Sequence, residues 1–285
     1  MRPAAFDYHA PATIDEAVAL LGVHGANARV IAGGQSLVPA MTARLARPTH
    51  LIDINRLPRA ERPAIAGGRL RIPPLMRHVD FEVPVADSPL GAVLAELSAA
   101  IGQLAVRMRG TFCGAIANGD PASEWCLAAV VLNADVIVRS KARGVRTIAA
   151  SAFFETILTT VMADDELVVE VQLPLLADTT RFGFSKIARR HGHYGAALGL
   201  CIYDRDETRM RDVRIGVGAV EAVPRRLSVV EALLERQEPS LRLFRQAADA
   251  AADTVSPIDS APDDISHKRD LTRTTVRRAL EASLP

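Results

Sequence analysis

The stretch Arg29–Ile54, RVIAGGQSLVPAMTARLARPTHLIDI, organises the reading of the whole chain. Arg29-Val30-Ile31-Ala32 has the apolar composition of a strand. Gly33-Gly34 breaks it, since either glycine can take φ > 0 without a Cβ clash. Leu37, Met41 and Leu45 then recur at helical spacing until Pro48 stops the helix. His50–Ile54 reads as a second strand. A strand, a glycine turn and a helix start gather backbone N–H groups at one spot, the arrangement of a phosphate cradle. The spacing is neither GxGxxG nor a Walker loop. On these residues alone, an anion cradle and a tight turn that needs glycine only for packing stand level.

The totals narrow the class. The 285 residues suffice for two domains with sizeable cores, and 49% hydrophobic with 24% charged residues is ordinary for a soluble globular protein. A net charge of +1 argues against a general nucleic-acid binder, and 4% aromatics do not favour a base-stacking surface. With no apolar run of about 18 residues and no leader at Met1, a cytoplasmic protein is expected. Cys113, Cys126 and Cys201 are too few and scattered for a zinc site or an iron–sulfur cluster. His24, His50, His78, His191 and His193 show no ligand-like spacing, so no metal is assigned.

Along the chain, Thr13-Ile14-Asp15-Glu16 reads as a capping box opening a helix that ends near Gly22. Leu70–Ile72 reads as a strand, His78–Ser88 as irregular, and Pro89–Ala105 as a helix with Leu90, Val93, Leu94, Leu97, Ile101 and Leu104 on one face. A second glycine stretch follows, RMRGTFCGAIANGDPASE over residues 107–124, where Gly110, Gly114 and Gly119 allow close approach of a ligand. Asp120-Pro121 reads as an N-cap and first helical residue, and the helix carries Trp125, Leu127, Val130 and Val131. Ala134–Val138 and Leu167–Leu173 read as strands, and Ser151 caps a short segment Phe153–Leu158. The character changes across Pro174–Thr180. Arg181–Ala188 is a strand with Phe182, Phe184 and Lys186 on one face. Ala196–Tyr203 and Val213–Val220 read as antiparallel neighbours around an Asp204–Glu207 turn. Helices are expected at Leu227–Glu235, Leu241–Thr254 and His267–Ala282, with a loop at Asp259–Asp264.

Taken together, AGGQSLVPAMTARLARPTHLIDI and RGTFCGAIANGDPASEW resemble the two flavin-binding motifs of the medium, FAD-carrying subunit of molybdenum hydroxylases, the carbon monoxide dehydrogenase and xanthine dehydrogenase type. The likeness runs on through FSKIARRHGHYGAALGL to about Pro224. It implies an α+β fold: a vanillyl-alcohol-oxidase (PCMH)-type FAD-binding domain of two subdomains over residues 1–177. A C-terminal domain over 178–285 would hold a three-stranded antiparallel sheet and a helical bundle. It implies non-covalent FAD here, [2Fe–2S] clusters on a small partner subunit and molybdopterin on a large one, in a dimer of heterotrimers. The implied activity is electron transfer from those clusters through FAD to an external acceptor. The overall reaction would be hydroxylation of an N-heterocycle or aldehyde, or CO oxidation. The alternative is a stand-alone FAD-dependent reductase or oxidase of the same domain type.

The resemblance also implies site residues. Ala32, Gly33, Gly34, Gln35 and Ser36 match the pyrophosphate loop, flanked by Arg29 and Leu37. Thr111 and Gly114 match the second loop, Asp120 and Glu124 polar positions along the cofactor, Val168 and Lys186 positions in strands nearest the isoalloxazine, and Tyr194 an aromatic covering the ring. No catalytic acid–base pair is expected. Against these stand plainer readings: Asp120 as a cap, Glu124 as a partner of the helix dipole, Lys186 as a snorkelling surface lysine. Cys113 replaces a usual glycine and Asn118-Gly119 a usual His-Ala. A small buried residue is the default reading of Cys113, a reactive thiol the other.

Overall fold

The computed structural model describes residues 2–59, 62–190, 192–258 and 262–284. The chain opens with β1 (Asp7–His9), α1 (Ile14–His24), β2 (Ala28–Ile31), α2 (Leu37–Thr42) and β3 (His50–Asp53). The three strands form a parallel sheet in the order β1-β3-β2. Thr13 caps α1 by accepting from the Glu16 N–H, while the Glu16 carboxylate accepts from the Ala12 N–H, so the sequence signal for this start holds. Ala17, Val18 and Leu21 bury the apolar stripe of α1 against Ile52 and Ala28. His24 and His50, which lack ligand-like spacing in the chain, stack with ring centroids 3.7 Å apart beside His9.

Helix α2 is shorter than the Leu37–Leu45 spacing predicts. Arg44 takes φ 61° and Leu45 is exposed, so the chain leaves the helix well before Pro48. Pro39 sits in its first turn, where a missing N–H leaves no helical bond unmade.

The next unit comprises β4 (Ala64–Ala66), β5 (Arg69–Ile72), α3 (Pro89–Ala100), α4 (Leu104–Arg107), α5 (Phe112–Asn118), α6 (Glu124–Val131), β6 (Asp135–Ser140), β7 (Gly144–Ala149), the small hairpin β8 (Phe154–Thr156) and β9 (Thr159–Thr160), and β10 (Leu167–Pro174). A five-stranded antiparallel sheet runs β4-β5-β10-β6-β7. The expected helix to Ala105 stops at Ala100, because Gly102 turns the chain at φ 47° and α4 restarts at Leu104. Ser151 caps nothing: residues 150–152 form one 3-10 turn and Phe154 enters β8. Phe81, Phe112 and Trp125 pack with ring centroids 4.7–5.6 Å apart at the heart of this core. Such pairs add about 0.5–1.5 kcal/mol each beyond the area they bury.

The C-terminal part contains β11 (Thr180–Ala188), β12 (Gly195–Asp206), β13 (Arg209–Gly218), β14 (Arg225–Arg226), α7 (Ser228–Leu234), α8 (Leu241–Thr254) and α9 (Pro262–Ala282). Its antiparallel sheet has three long strands and a two-residue fourth, in chain order. The β12–β13 turn lies at residues 207–208, past the expected Asp204, with Glu207 at φ 53°. Helix α9 begins at Pro262, five residues before the expected His267, so part of the predicted Asp259–Asp264 loop is helical. Residues 259–261 lie outside the described residues.

Strand β12 is buried on both faces, which explains its unbroken apolar run. Leu198, Leu200 and Ile202 join the core around Trp125 and α6. Ala197, Cys201 and Tyr203, alternating with them, join the core under α7, α8 and α9. Glycines let α9 lie flat on this sheet: a Cβ on Gly183 would stand 2.0 Å from the Ala279 carbonyl oxygen, and one on Gly199 2.8 Å from Thr275. Gly183→Ala therefore lowers stability by about 1–3 kcal/mol through overpacking. Gly22→Ala, with no atom within 4 Å of the new methyl, does not. Urea unfolding midpoints of the two variants check this.

Candidate functional site

The two glycine stretches, some seventy residues apart in the chain, meet back to back. A Cβ on Gly33 would stand 2.2 Å from the Arg109 carbonyl oxygen and 2.7 Å from Gly110 Cα. Gly33 is thus glycine because another backbone presses on it. Gly34, at φ 72°, is the one that needs the left-handed region. The segment before α3 holds the second loop in place: Gly110 and Met76 carbonyls accept from the His78 and Phe112 N–H groups, each at 3.0 Å. Arg77 ties the loops together. Its guanidinium donates to the Arg109 carbonyl and, at 2.6 Å, to Asn55 Oδ1, and the Asn55 amide donates at 2.7 Å to the Ala32 carbonyl. Asn55 and Arg77 lie outside both motifs and carry no local signal in the sequence.

Between these loops runs a cleft of about 200 Å³ whose lining includes Gln35, Ser36, Asp120, Glu124, Lys186 and Tyr194. The structure thus gathers six of the residues singled out from sequence. Tyr194 is 65% exposed, in the β11–β12 hairpin just before β12, and lines the cleft with Ser36. In the same hairpin Gly192, at φ 79°, lies against Gly102 and Gln103, so the C-terminal unit reaches over the break between α3 and α4. His191 in that hairpin lies outside the described residues.

Lys186 is not a snorkelling surface lysine. Its ammonium donates at 2.6 Å to Glu124 Oε1 and at 2.9 Å to the Ala100 carbonyl, the last residue of α3. A helix C-terminus attracts the cation, and Glu124, the first residue of α6, complements the opposite dipole. Burial pushes the Glu124 carboxyl above its usual range, and the Lys186 charge opposes this. Asp120 is likewise raised by burial. It is not the cap of α6: that is Ser123, whose hydroxyl accepts from the Cys126 N–H. Asp120 instead closes a turn, accepting from the Ala122 N–H at 2.8 Å, and Pro121 precedes the helix rather than opening it.

Thr111 caps α5 by accepting from the Gly114 N–H, and a Cβ on Gly114 would sit 2.5 Å from that same hydroxyl. Cys113 is buried and pushed up in pKa by desolvation, its thiol directed at the Ile72 and Pro73 carbonyls, which makes it a structural residue. Of the other residues named from the resemblance, Ala32, Gly33, Gly34, Leu37, Thr111 and Gly114 belong to the two loops without lining the cleft, and Arg29 and Val168 stand further from it. The Arg29 guanidinium donates to the Ala26 and Ala28 carbonyls at the start of β2, and Val168, in β10, is buried in the core.

With this geometry in place, comparison with known proteins decides the family. The model described as "FAD binding domain in molybdopterin dehydrogenase" matches residues 4–176, and "CO dehydrogenase flavoprotein C-terminal domain" matches residues 183–283. The chain belongs to the FAD-binding medium subunits of molybdenum hydroxylases. It is similar to the nicotine 6-hydroxylase medium subunit of Paenarthrobacter nicotinovorans, 33% identical over 98% of either chain. Among solved structures it superposes on a chain of carbon monoxide dehydrogenase from Hydrogenophaga pseudoflava with TM-score 0.93, 33% identity, and 99% and 98% of the two chains covered. Quinoline 2-oxidoreductase from Pseudomonas putida 86 gives TM-score 0.88 at 27% identity with both chains wholly covered. The protein is therefore an oxidoreductase subunit carrying FAD, of the α+β architecture that the motifs imply. Among the described residues no helix is long and apolar enough to cross a membrane.

His78, a residue outside both motifs, borders the cleft from beneath and makes the site measurable. It is 6% exposed, and its Nδ1 accepts from the Trp125 indole N–H at 2.8 Å. Burial, then the charges of Arg77 and Arg107, pull its pKa down to about 4. The folded value lies below the unfolded one near 6.5, so the stabilisation is present above pH 6.5 and is lost as pH falls towards 4. The full effect is about 3 kcal/mol. Trp125 is the only tryptophan in the chain. Its fluorescence during urea unfolding should report a steeper loss of stability from pH 7 to pH 5 in the native chain than in His78→Gln, whose amide oxygen can still accept the indole N–H.

Proposed function

We propose that the cleft between the two glycine loops holds FAD non-covalently and that the chain relays electrons from a partner's [2Fe–2S] clusters to an external acceptor. The observation that carries this reading is the contact of Gly33 with Arg109 and Gly110, which leaves room for backbone, and no side chain, beneath the cleft. The donor set fits the group: a glycine loop with Ser36 and Gln35 for pyrophosphate, and the Lys186–Glu124 pair with Tyr194 for the ring end. FAD, when bound, supplies the redox chemistry, taking and passing on electrons.

The residues of the chain supply position and electrostatics. Ala32 to Leu37 and Thr111 to Gly114 hold the cofactor's backbone-facing side, and Asp120 and Glu124 its polar edges. Tyr194 and its hairpin exclude water from above. Lys186 presents a positive charge held in place by Glu124 and Ala100. Arg29 and Val168 belong to the set as backing: Arg29 braces the entry to β2, and Val168 fills the core under the second loop. The FAD-binding unit spans residues 1–177 and the C-terminal unit 178–285, with the boundary between the end of β10 and the start of β11. The chain works in the cytoplasm in a dimer of heterotrimers with a small [2Fe–2S] subunit and a large molybdopterin subunit. Substrate, an N-heterocycle, an aldehyde or CO, is oxidised on the large subunit. Co-purification of iron–sulfur and molybdenum polypeptides with the native chain tests the assembly, and isolation of the yellow chain alone at native expression level contradicts it.

Acid precipitation of the pure chain should release all the yellow colour, and Gly33→Ala should lose FAD while keeping its far-UV spectrum. Colour left on the pellet refutes the non-covalent mode, and full FAD content in Gly33→Ala refutes the cradle. A second expectation concerns the buried pair. Lys186→Met removes the cation and should lower the flavin midpoint, while Glu124→Gln frees that cation from its counter-charge and should raise it. Each shift should be on the order of tens of millivolts. Spectroelectrochemistry at constant pH reads both. Unchanged midpoints with full FAD content would restrict the pair to a structural role.

A further inference from the structure

We propose that His9, His24 and His50 form a binding site for a divalent transition-metal ion, zinc being the best fit, on the outer end of the N-terminal sheet. The three come from three elements, so their positions in the chain do not reveal them. His9 ends β1, His50 opens β3, and His24 is the last residue of α1. The parallel register sets Asp7 beside His50 and His9 beside Ile52. Ile52 is buried beneath α1, so by the two-residue alternation His50 and His9 face the same side. The end of α1 brings His24 onto that face.

The distances suit a metal. His9 Nε2 lies 3.2 Å from His50 Nδ1. Two nitrogens bound at 2.0–2.1 Å to one tetrahedral zinc stand about 3.3 Å apart. One nitrogen from each of the three rings falls within 4.8 Å of the others, the only such cluster of three potential ligands among the described residues. The His24 ring, now stacked on His50, needs a turn about its own χ angles to point its nitrogen at the shared centre. All three rings are half-buried, which fixes them while leaving an entry path. Two further features favour a cation. The carbonyl end of α1, eleven residues long, lies at His24, and Asp7 Oδ2 stands 3.8 Å from His50 Nδ1. Asp7 or water would complete the fourth position. Imidazole ligands select zinc, copper or nickel over magnesium and calcium.

Such an ion would join β1, β3 and α1 at the end of the sheet opposite the glycine loop, since β2 runs from this end into Ala32 and β3 into Asn55. Its role would be to clasp the sheet that carries the loop. The FAD reading is independent of it, and FAD content serves as the internal control.

The test uses the full, untagged, FAD-replete chain, freed of metal with EDTA and titrated with Zn²⁺ and Co²⁺. Expected are one ion per chain, a visible Co²⁺ spectrum of four-coordinate intensity, and a rise in Tm with Zn²⁺. His24→Gln and His50→Gln should each weaken binding at least tenfold and abolish the Tm rise, with FAD content unchanged. X-ray absorption of the zinc-loaded native chain counts the imidazoles without any variant, and three are expected. Absence of saturable one-to-one binding, one imidazole or none at the zinc, or binding that survives in the His24→Gln/His50→Gln double variant would overturn the proposal and leave the cluster as a ring stack closed by a hydrogen bond.

Discussion

The cleft depends on one backbone contact, that of Gly33 with the Arg109 carbonyl. Two loops that each expose backbone towards a ligand cannot both be braced from the ligand side, so they are braced from behind, against each other. Arg77 and Asn55 complete the brace by satisfying the carbonyls of Arg109 and Ala32, which the loops' own irregular backbone cannot satisfy. A buried acceptor left without its donor costs about 1–3 kcal/mol, so this network limits how far either loop can drift. Preorganisation of the cleft follows from those few bonds.

The second organising element is the Lys186–Glu124 pair. Removing two charges from water is expensive, and a buried pair is weak evidence of stability by itself. Here the pair also satisfies the last carbonyl of α3 and opens α6, so one ammonium joins β11 of the C-terminal unit to two helices of the N-terminal one. The raised Glu124 carboxyl shows that burial outweighs pairing at this point. Two charges held close to neutrality project a smaller field than a lone lysine would, so the pair tunes its surroundings through the balance between its members.

What the sequence made legible was what is local. The alternation Phe182, Phe184, Lys186 placed these side chains on one face, and the structure packs both rings on the N-terminal core with Lys186 beyond them. The Thr13 cap and the span of α8 were readable because caps and apolar stripes act over a few residues, although the Glu16 carboxylate returns to the Ala12 N–H rather than to Thr13. The misreadings share a cause. Asp120-Pro121 has the form of a cap and first helical residue, yet Ser123, three residues on, takes the cap because Asp120 is used by the turn before it. The apolar face of α3 continues past Ala100 in sequence, while Gly102 turns the backbone. The periodicity after Gly34 suggests a longer α2, but Leu45 has no core to enter. Of the proposed site, the glycines and the Asp120, Glu124, Lys186 and Tyr194 positions were visible through the family motifs. Asn55, Arg77 and His78 act only through residues distant in the chain, and His9, His24 and His50 meet only when the sheet forms.

The doubly buried β12 explains why the two units work as one. Leu198, Leu200 and Ile202 complete the core that contains Trp125, and Trp125 in turn fixes His78 under the second loop. Removing the C-terminal unit would therefore expose the face of α6 and strip the cleft of Lys186 and of the hairpin that sets Gly192 against Gly102. Exposing that much apolar surface costs far more than the few bonds crossing the cleft can return, at about 25 cal/mol per Å². A chain cut between β10 and β11 would thus lose its core before it lost its loops, and the glycine motifs, though they lie wholly in the first unit, need the second to stand where they do.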